Sequence, residues 1–258
     1  MDVYQKTAQL LQVMPLKDMD GALLTAAIHI HLSDRGWSQS GMIDRAILLA
    51  TWAHRSQTRA NRANLPRTPY IEHPLRVTLR VLRWGCNDAA VVAAAALHDV
   101  VEDCAPDICR AYLGLPGDLP AEEARDIAFV YLHREFGEEV TAIVRGLTNP
   151  LHPAGLARER KNSLYGLHVR QAIADPGVCV TKAADLTDNA AGLHHNLTDG
   201  ASRGMVSRLA QKYAPVFPAV LARVDKADVA DLLSAEGWRE MQTSLERGYR
   251  RIQVLAAA

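Results

Sequence analysis

The stretch LHDVVEDC (97–104) follows VVAAAA (91–96), so an apolar run leads directly into His98, Asp99, Glu102 and Asp103. On a helical wheel counted from His98, Asp99 lies at about 100°, Glu102 at about 40° and Asp103 at about 140°. One helix would therefore carry all four on one side, with Leu97, Val100 and Val101 opposite. That polar side is acid and imidazole, with no lysine. Crowded acids at the end of a buried helix repel one another and lose hydration unless a cation compensates them. The stretch predicts a core helix that delivers a metal site.

The surrounding chain reads as helical throughout. Aromatic and β-branched residues are sparse, while alanine- and leucine-rich segments show helical spacing. Helices are expected near 3–14, 18–33, 40–60, 74–84, 88–102, 120–135, 137–147, 156–174, 178–195, 203–224 and 234–255. GCND (85–88), LPGDLP (115–120), TNPLHPAG (148–155), DPG (175–177) and LTDG (197–200) punctuate them. The expected architecture is all-α in a single domain, 1–258. A core over 42–200 carries an N-terminal helical extension (1–40) and C-terminal covering helices (201–258), which either cap the core or form a homodimer.

Composition narrows the function. Lys and Arg total 29 and Asp and Glu total 29, a balance that argues against a general nucleic-acid binder. The four cysteines show no CxxC spacing and read as reduced thiols of a cytoplasmic protein. The first residues, MDVYQKTAQL, lack the pattern of a secretory signal. No uncharged apolar run reaches the roughly 18 residues of a membrane span. The expected partner is a small molecule.

The His-Asp pair gains meaning from its company. PYIEHP (69–74) offers His73, and VTKAADLTDN (180–189) offers Asp185. One His, a His-Asp pair and a distant Asp make a mixed nitrogen and oxygen set that suits manganese, iron or zinc. An open position on such an ion takes water or a phosphate oxygen. Lys182, three residues before Asp185, either neutralises substrate phosphate or pairs with an acid. His54 reads as a packing or supporting histidine, and RERKN (158–162) as a solvated helix face.

AHRSQTR (53–59), PYIEHP, AALHDVVEDC (95–104), REFGEEVTAIVRGLT (134–148) and KAADLTDN (182–189) occur in a telling order. Over about residues 42–200 the chain resembles the HD hydrolase domain of the Rel/SpoT family and its small stand-alone alarmone hydrolases. The resemblance implies an all-α HD bundle, one bound Mn²⁺, and removal of the 3′-pyrophosphate from guanosine tetra- or pentaphosphate. It implies His73, His98, Asp99 and Asp185 as metal ligands, and Glu102 and Asp103 as the acids that position and deprotonate water. Glu102, nearer His98 on the wheel, is favoured as the base. Arg59 and Asn189 match nucleotide-contacting positions, and Tyr70 and Lys182 complete the expected substrate contacts.

Three departures from the family pattern bear on substrate. ANRANLP (60–66) lengthens the basic loop that helps read the base, placing Arg59, Arg62 and Arg67 either on substrate or in solvent. Leu186 stands where the family has arginine, and Asp188 adds an acid. Residues 104–133 are longer than the usual connection and read as a lid or a surface excursion. An adenosine alarmone, another nucleotide such as NADPH, and a slow nucleotide-binding module are the alternatives.

Overall fold

The computed structural model describes residues 2–60, 66–197 and 200–257. Asp2 and Asp20 cap α1 (Val3–Val13) and α2 (Gly21–Arg35), each accepting a backbone N–H three residues on. After α3 (Ser40–Ala53), Thr58–Arg59 pairs antiparallel with Thr68–Pro69. Then come α4 (Glu72–Arg83), α5 (Ala89–Leu97) and α6 (Val100–Leu113). The second half comprises α7 (Ala121–Leu147), α8 (Arg158–Ala172), α9 (Pro176–Asn189), α10 (Gly200–Tyr213), α11 (Phe217–Val224), α12 (Ala227–Ala230) and α13 (Ala235–Ala257).

Three mutually packed helices, α4, α5 and α9, form the centre. Asp88 starts α5 by accepting from the N–H groups of Ala90 and Val91, and every residue of α5 is buried. Alanines at 89, 90 and 93–96 present so little side chain that neighbours approach closely from every direction. Helix α3 and helix α7 pack on α5, α2 packs on α4, and α13 covers α9, α10 and α11. The chain is all-α, apart from that four-residue ladder, as the spacing of its apolar residues predicts.

Several boundaries differ from expectation. The helix expected over 88–102 is broken by a turn at His98–Asp99. The His98 ring donates from Nδ1 to the Ala95 carbonyl at 2.8 Å, the oxygen that the next helical turn would use. The helix expected over 40–60 ends at Ala53, and that over 178–195 at Asn189. The segment 203–224 is two helices joined by a short 3₁₀ turn at Ala214–Val216. Most of 104–133 is neither lid nor excursion, because α6 runs on to Leu113 and packs against α7. The expected division between 120–135 and 137–147 corresponds to a bend inside α7 at Gly137, whose φ of 84° and ψ of 177° suit glycine alone.

Candidate metal and nucleotide site

The three central helices each bring a potential ligand to one point. His73 sits in the first turn of α4, His98 and Asp99 form the turn between α5 and α6, and Asp185 lies on α9. Among the described residues, His73, His98 and Asp99 each offer a ligand atom, all within 4.8 Å of one another. The Nε2 atoms of His73 and His98 are 3.2 Å apart. Asp99 Oδ2 lies 3.1 Å from His98 Nε2 and 3.6 Å from His73 Nε2. Asp185 Oδ1 is 3.3 Å from His73 Nε2 and 4.0 Å from His98 Nε2. Donors bound at about 2.0–2.2 Å to one ion stand about 3–4.4 Å apart, so the three spacings among His73, His98 and Asp99 fit a shared cation, and the two from Asp185 to the histidines fall in the same range.

The hydrogen bonds behind the ligands orient them. The Ala95 carbonyl only accepts, so Nδ1 of His98 carries its hydrogen and Nε2 is the inward nitrogen. The Asp188 carboxylate does the same for His73, accepting from Nδ1 at 2.8 Å. Two imidazole lone pairs therefore face each other across 3.2 Å in a buried place, an arrangement that a cation or a proton must relieve. Burial lowers His98, yet the carboxylates of Asp99 and then Asp185 outweigh it and push the ring up to about 9. His73 is lowered, by burial first and by Arg59 next. The group can hold a metal.

Charge pairs fix the acids. Burial opposes ionisation of Asp185, but the Lys182 ammonium, 3.0 Å away, and His73 hold it well below the usual carboxylate range. Asn189 donates to the other oxygen at 2.6 Å. Asp99, disfavoured by burial, is likewise held low by His98 and His73, and accepts from the Tyr70 hydroxyl at 2.8 Å. Lys182 is thus buried against Asp185, the acid-pairing alternative for this residue.

Glu102 and Asp103 occupy the first turn of α6 but differ in setting. The Glu102 carboxylate accepts from the backbone N–H of Asn149 at 2.8 Å and from its side-chain amide at 3.0 and 3.1 Å. Asp103 is an exposed residue, and its carboxyl is raised to about 7 by partial loss of hydration, by Asp99 and by Glu102. The angular argument that favoured Glu102 as base does not survive, because the turn at His98–Asp99 interrupts the wheel on which it was measured.

Two cavities are lined by residues that neighbour the candidate ligands, Glu102 in one and Tyr70, Asp188 and Asn189 in the other. The larger, about 640 Å³, has Glu102 in its wall with Arg125, Arg158, Lys161, Arg208, Lys212 and Tyr165. Its cations suit phosphate groups, and Arg158 and Lys161 belong to the run expected to be a solvated face. The smaller, about 390 Å³, is lined by Lys17, Arg59, Tyr70, Asn189, Leu209 and Tyr213 among others. Arg59 donates to Asn189 Oδ1 at 2.7 Å and lies 5.4 Å over the Tyr70 ring. Arg67 braces the ladder by donating to Thr58, whereas Arg62 lies outside the described residues. His54 is buried, bonded through Nδ1 to Gln57 and tilted against Tyr70, a supporting position.

The sequence reading missed five contributors. Asp188, noted only as an added acid, holds His73 and also accepts from buried Arg76 at 2.9 and 3.2 Å. Arg76 follows His73 by three residues, which places both on neighbouring faces of one helix. Asn149, read as loop punctuation, holds Glu102. Arg125 donates to the carbonyls of Glu102 and Asn149, and Lys17 reaches the smaller cavity from the N-terminal segment.

No protein-family model matches the chain. Curated relatives do. Over 172 residues it is 31% identical to the Homo sapiens protein named guanosine-3′,5′-bis(diphosphate) 3′-pyrophosphohydrolase MESH1, covering 66% of this chain and 79% of that one. Over 132 residues it is 30% identical to the Xenopus tropicalis protein of the same name, covering 50% of this chain and 62% of that one. Over 219 residues it is 27% identical to a Streptomyces coelicolor protein named GTP pyrophosphokinase, covering 83% of this chain but 22% of that one. The chain therefore spans less than two thirds of the Xenopus and Streptomyces relatives. A solved structure described as a metazoan ortholog of SpoT that hydrolyzes ppGpp shares the fold, with a TM-score of 0.56 at 20% identity, over 81% of this chain and 94% of that one. No described helix is long and apolar enough to cross a membrane.

Proposed function

Because the chain belongs to the family of MESH1- and SpoT-type guanosine-3′,5′-bis(diphosphate) 3′-pyrophosphohydrolases, we propose that it removes the 3′-diphosphate from an alarmone nucleotide of this kind, with manganese as cofactor. The observation that carries this reading is the convergence of two Nε2 atoms and the Asp99 carboxylate, with both Nδ1 atoms held from behind. His73, His98, Asp99 and Asp185 would hold the ion. When bound, it supplies positive charge to the diphosphate and makes a water more acidic. The hydrolysis breaks the bond between the ribose 3′ oxygen and phosphorus, releasing pyrophosphate.

The protein's own groups divide the remaining work. Asp103, raised to about 7, accepts the proton of the attacking water. Glu102, held by three contacts from Asn149, orients that water. The cations of the larger cavity receive phosphate, and Arg59, Tyr70 and Asn189 position the nucleoside in the smaller one. Tyr70 also keeps Asp99 in place through its hydroxyl. Lys182 serves by holding Asp185 ionised. Guanosine is the favoured nucleoside and adenosine its rival.

Replacing Asp99 by alanine tests the reading. Both Mn²⁺ binding and pyrophosphate release should vanish while helical circular dichroism persists. Turnover that survives without bound metal would overturn it.

A further inference from the structure

We infer that Lys17, brought by the N-terminal segment, is a substrate-contacting residue whose ammonium donates to an oxygen acceptor of the nucleotide in the smaller cavity. The inference rests on the reading above that this cavity takes a nucleotide.

Lys17 is placed by a clamped segment. It sits in a 3₁₀ turn, Leu16–Asp18, between the buried side chains of Leu16 and Met19. Arg83 on α4 donates to the carbonyls of Leu11 at 2.6 Å and Met14 at 3.1 Å, tying the end of α1 to that helix. Arg35 at the end of α2 donates to the carbonyls of Leu82, at 2.6 Å, and Cys86. The segment is thereby fastened at two points to α4, the helix whose first turn carries His73. A residue held in that way can contribute to a rigid site.

The lysine crosses into the cavity over Gly192. A side-chain carbon on Gly192 would meet the Asp188 carbonyl oxygen at 2.5 Å and then Lys17 Cε at 3.2 Å and Nζ at 3.5 Å, so the glycine admits the backbone of α9 first and leaves Lys17 in contact beside it. Its Nζ lies 3.5 Å from Asp188 Oδ1, and the side chain is 15% exposed. Asp188 also serves His73 and Arg76 at shorter range. Among the described lining residues Lys17, Arg59 and Arg67 outnumber the acid Asp188. Burial lowers Lys17 to about 8 although Asp188 raises it, which marks a charge kept out of water. An ammonium has three N–H donors and no acceptor, so the complementary ligand atom is an oxygen with negative or partial negative charge. A nucleotide carries three kinds, phosphate oxygens, ribose oxygens and the guanine carbonyl, and adenine lacks the last.

The test uses the full chain with Lys17→Ala and Lys17→Arg. It measures KM, kcat and Mn²⁺ affinity for guanosine and adenosine 3′,5′-bis(diphosphate). Direct nucleotide binding is also measured in a Glu102→Gln background. Lys17→Ala should raise KM and Kd by about 10- to 100-fold, the scale of one lost charged hydrogen bond, with kcat and Mn²⁺ affinity little changed. Lys17→Arg should recover most of the loss. Equal weakening of both nucleotides identifies a contact to the shared phosphate or ribose oxygens; weakening of the guanosine compound alone identifies the base carbonyl. Unchanged KM and Kd would overturn the inference. So would a loss traced entirely to Mn²⁺ affinity, since Lys17 would then act only through Asp188 and His73. If the wild type binds nucleotide but hydrolyses none, the functional reading fails and the Kd values alone decide Lys17. Binding of neither nucleotide would overturn both.

Discussion

Asp188 Oδ2 accepts from Nδ1 of His73 at 2.8 Å, and that one hydrogen bond decides which nitrogen of the ring faces His98. The same carboxylate takes Arg76, which is wholly buried, and lies within reach of Lys17 and Arg80. Three cations and a histidine thus meet on one acid, and the metal-binding geometry is continuous with the packing of α4 against α9.

Asp188→Asn removes the charge but keeps the shape. Buried Arg76 would keep only Glu72, 3.5 Å away, as a counter-charge, a loss of up to about 3–5 kcal/mol. The Mn²⁺ affinity should fall about 10- to 100-fold as His73 loses its orienting partner. Urea unfolding and a metal titration on the same variant read the two effects. Unaltered metal affinity would show that Asp188 serves stability alone.

Asn149→Ala should remove the two side-chain contacts to Glu102, leaving the backbone N–H bond, without touching the candidate ligands. Turnover should fall by about 10- to 100-fold, the range for losing hydrogen bonds to a charged group, with Mn²⁺ affinity preserved. Steady-state kinetics at saturating metal would check it. Full activity would mean that Glu102 needs no support from the Asn149 side chain.

Asp103 provides the pH signature. A base must be ionised to accept a proton, and its carboxyl is raised to about 7. The rate should therefore rise with pH through an acidic limb near neutrality, shifted downward by the charge of the bound metal. Asp103→Asn should remove that limb and cut turnover by about 10²–10⁴. Glu102→Gln should slow turnover yet keep the limb. The reverse pattern would exchange the two roles.

Gly237→Ala probes the cover rather than the site. A Cβ there would sit 1.8 Å from the Trp84 carbonyl oxygen, backbone that does not yield easily. Helix α13 would have to shift, with a destabilisation of about 1–3 kcal/mol or more. A thermal melt matching the wild type would refute this close packing.

The helical fold was legible because it depends on local pattern, and so was the grouping of His73, His98 and Asp99, which could hold a metal. The alanine-rich run before His98 reads as buried helix, and it is; His73 and the His98–Asp99 pair stand out by type and by company. The break at His98 was not legible, since apolar spacing does not reveal a ring that takes its own helix's carbonyl at Ala95. Asp188 and Arg76 escaped because their partnership spans 112 residues and no local spacing announces it. Asn149 looked like a loop residue because its role lies in a bond to Glu102, 47 residues away. Lys17 was hidden by its place in a segment read as an extension of the core.

The most direct measurement is pyrophosphate release from guanosine 3′,5′-bis(diphosphate) by the purified chain with Mn²⁺, set beside the adenosine compound, NADPH and nucleoside triphosphates. The account predicts release from a 3′-diphosphate nucleotide that stops on chelation and is absent in Asp99→Ala. Manganese bound at the site with no release from either 3′-diphosphate would contradict it.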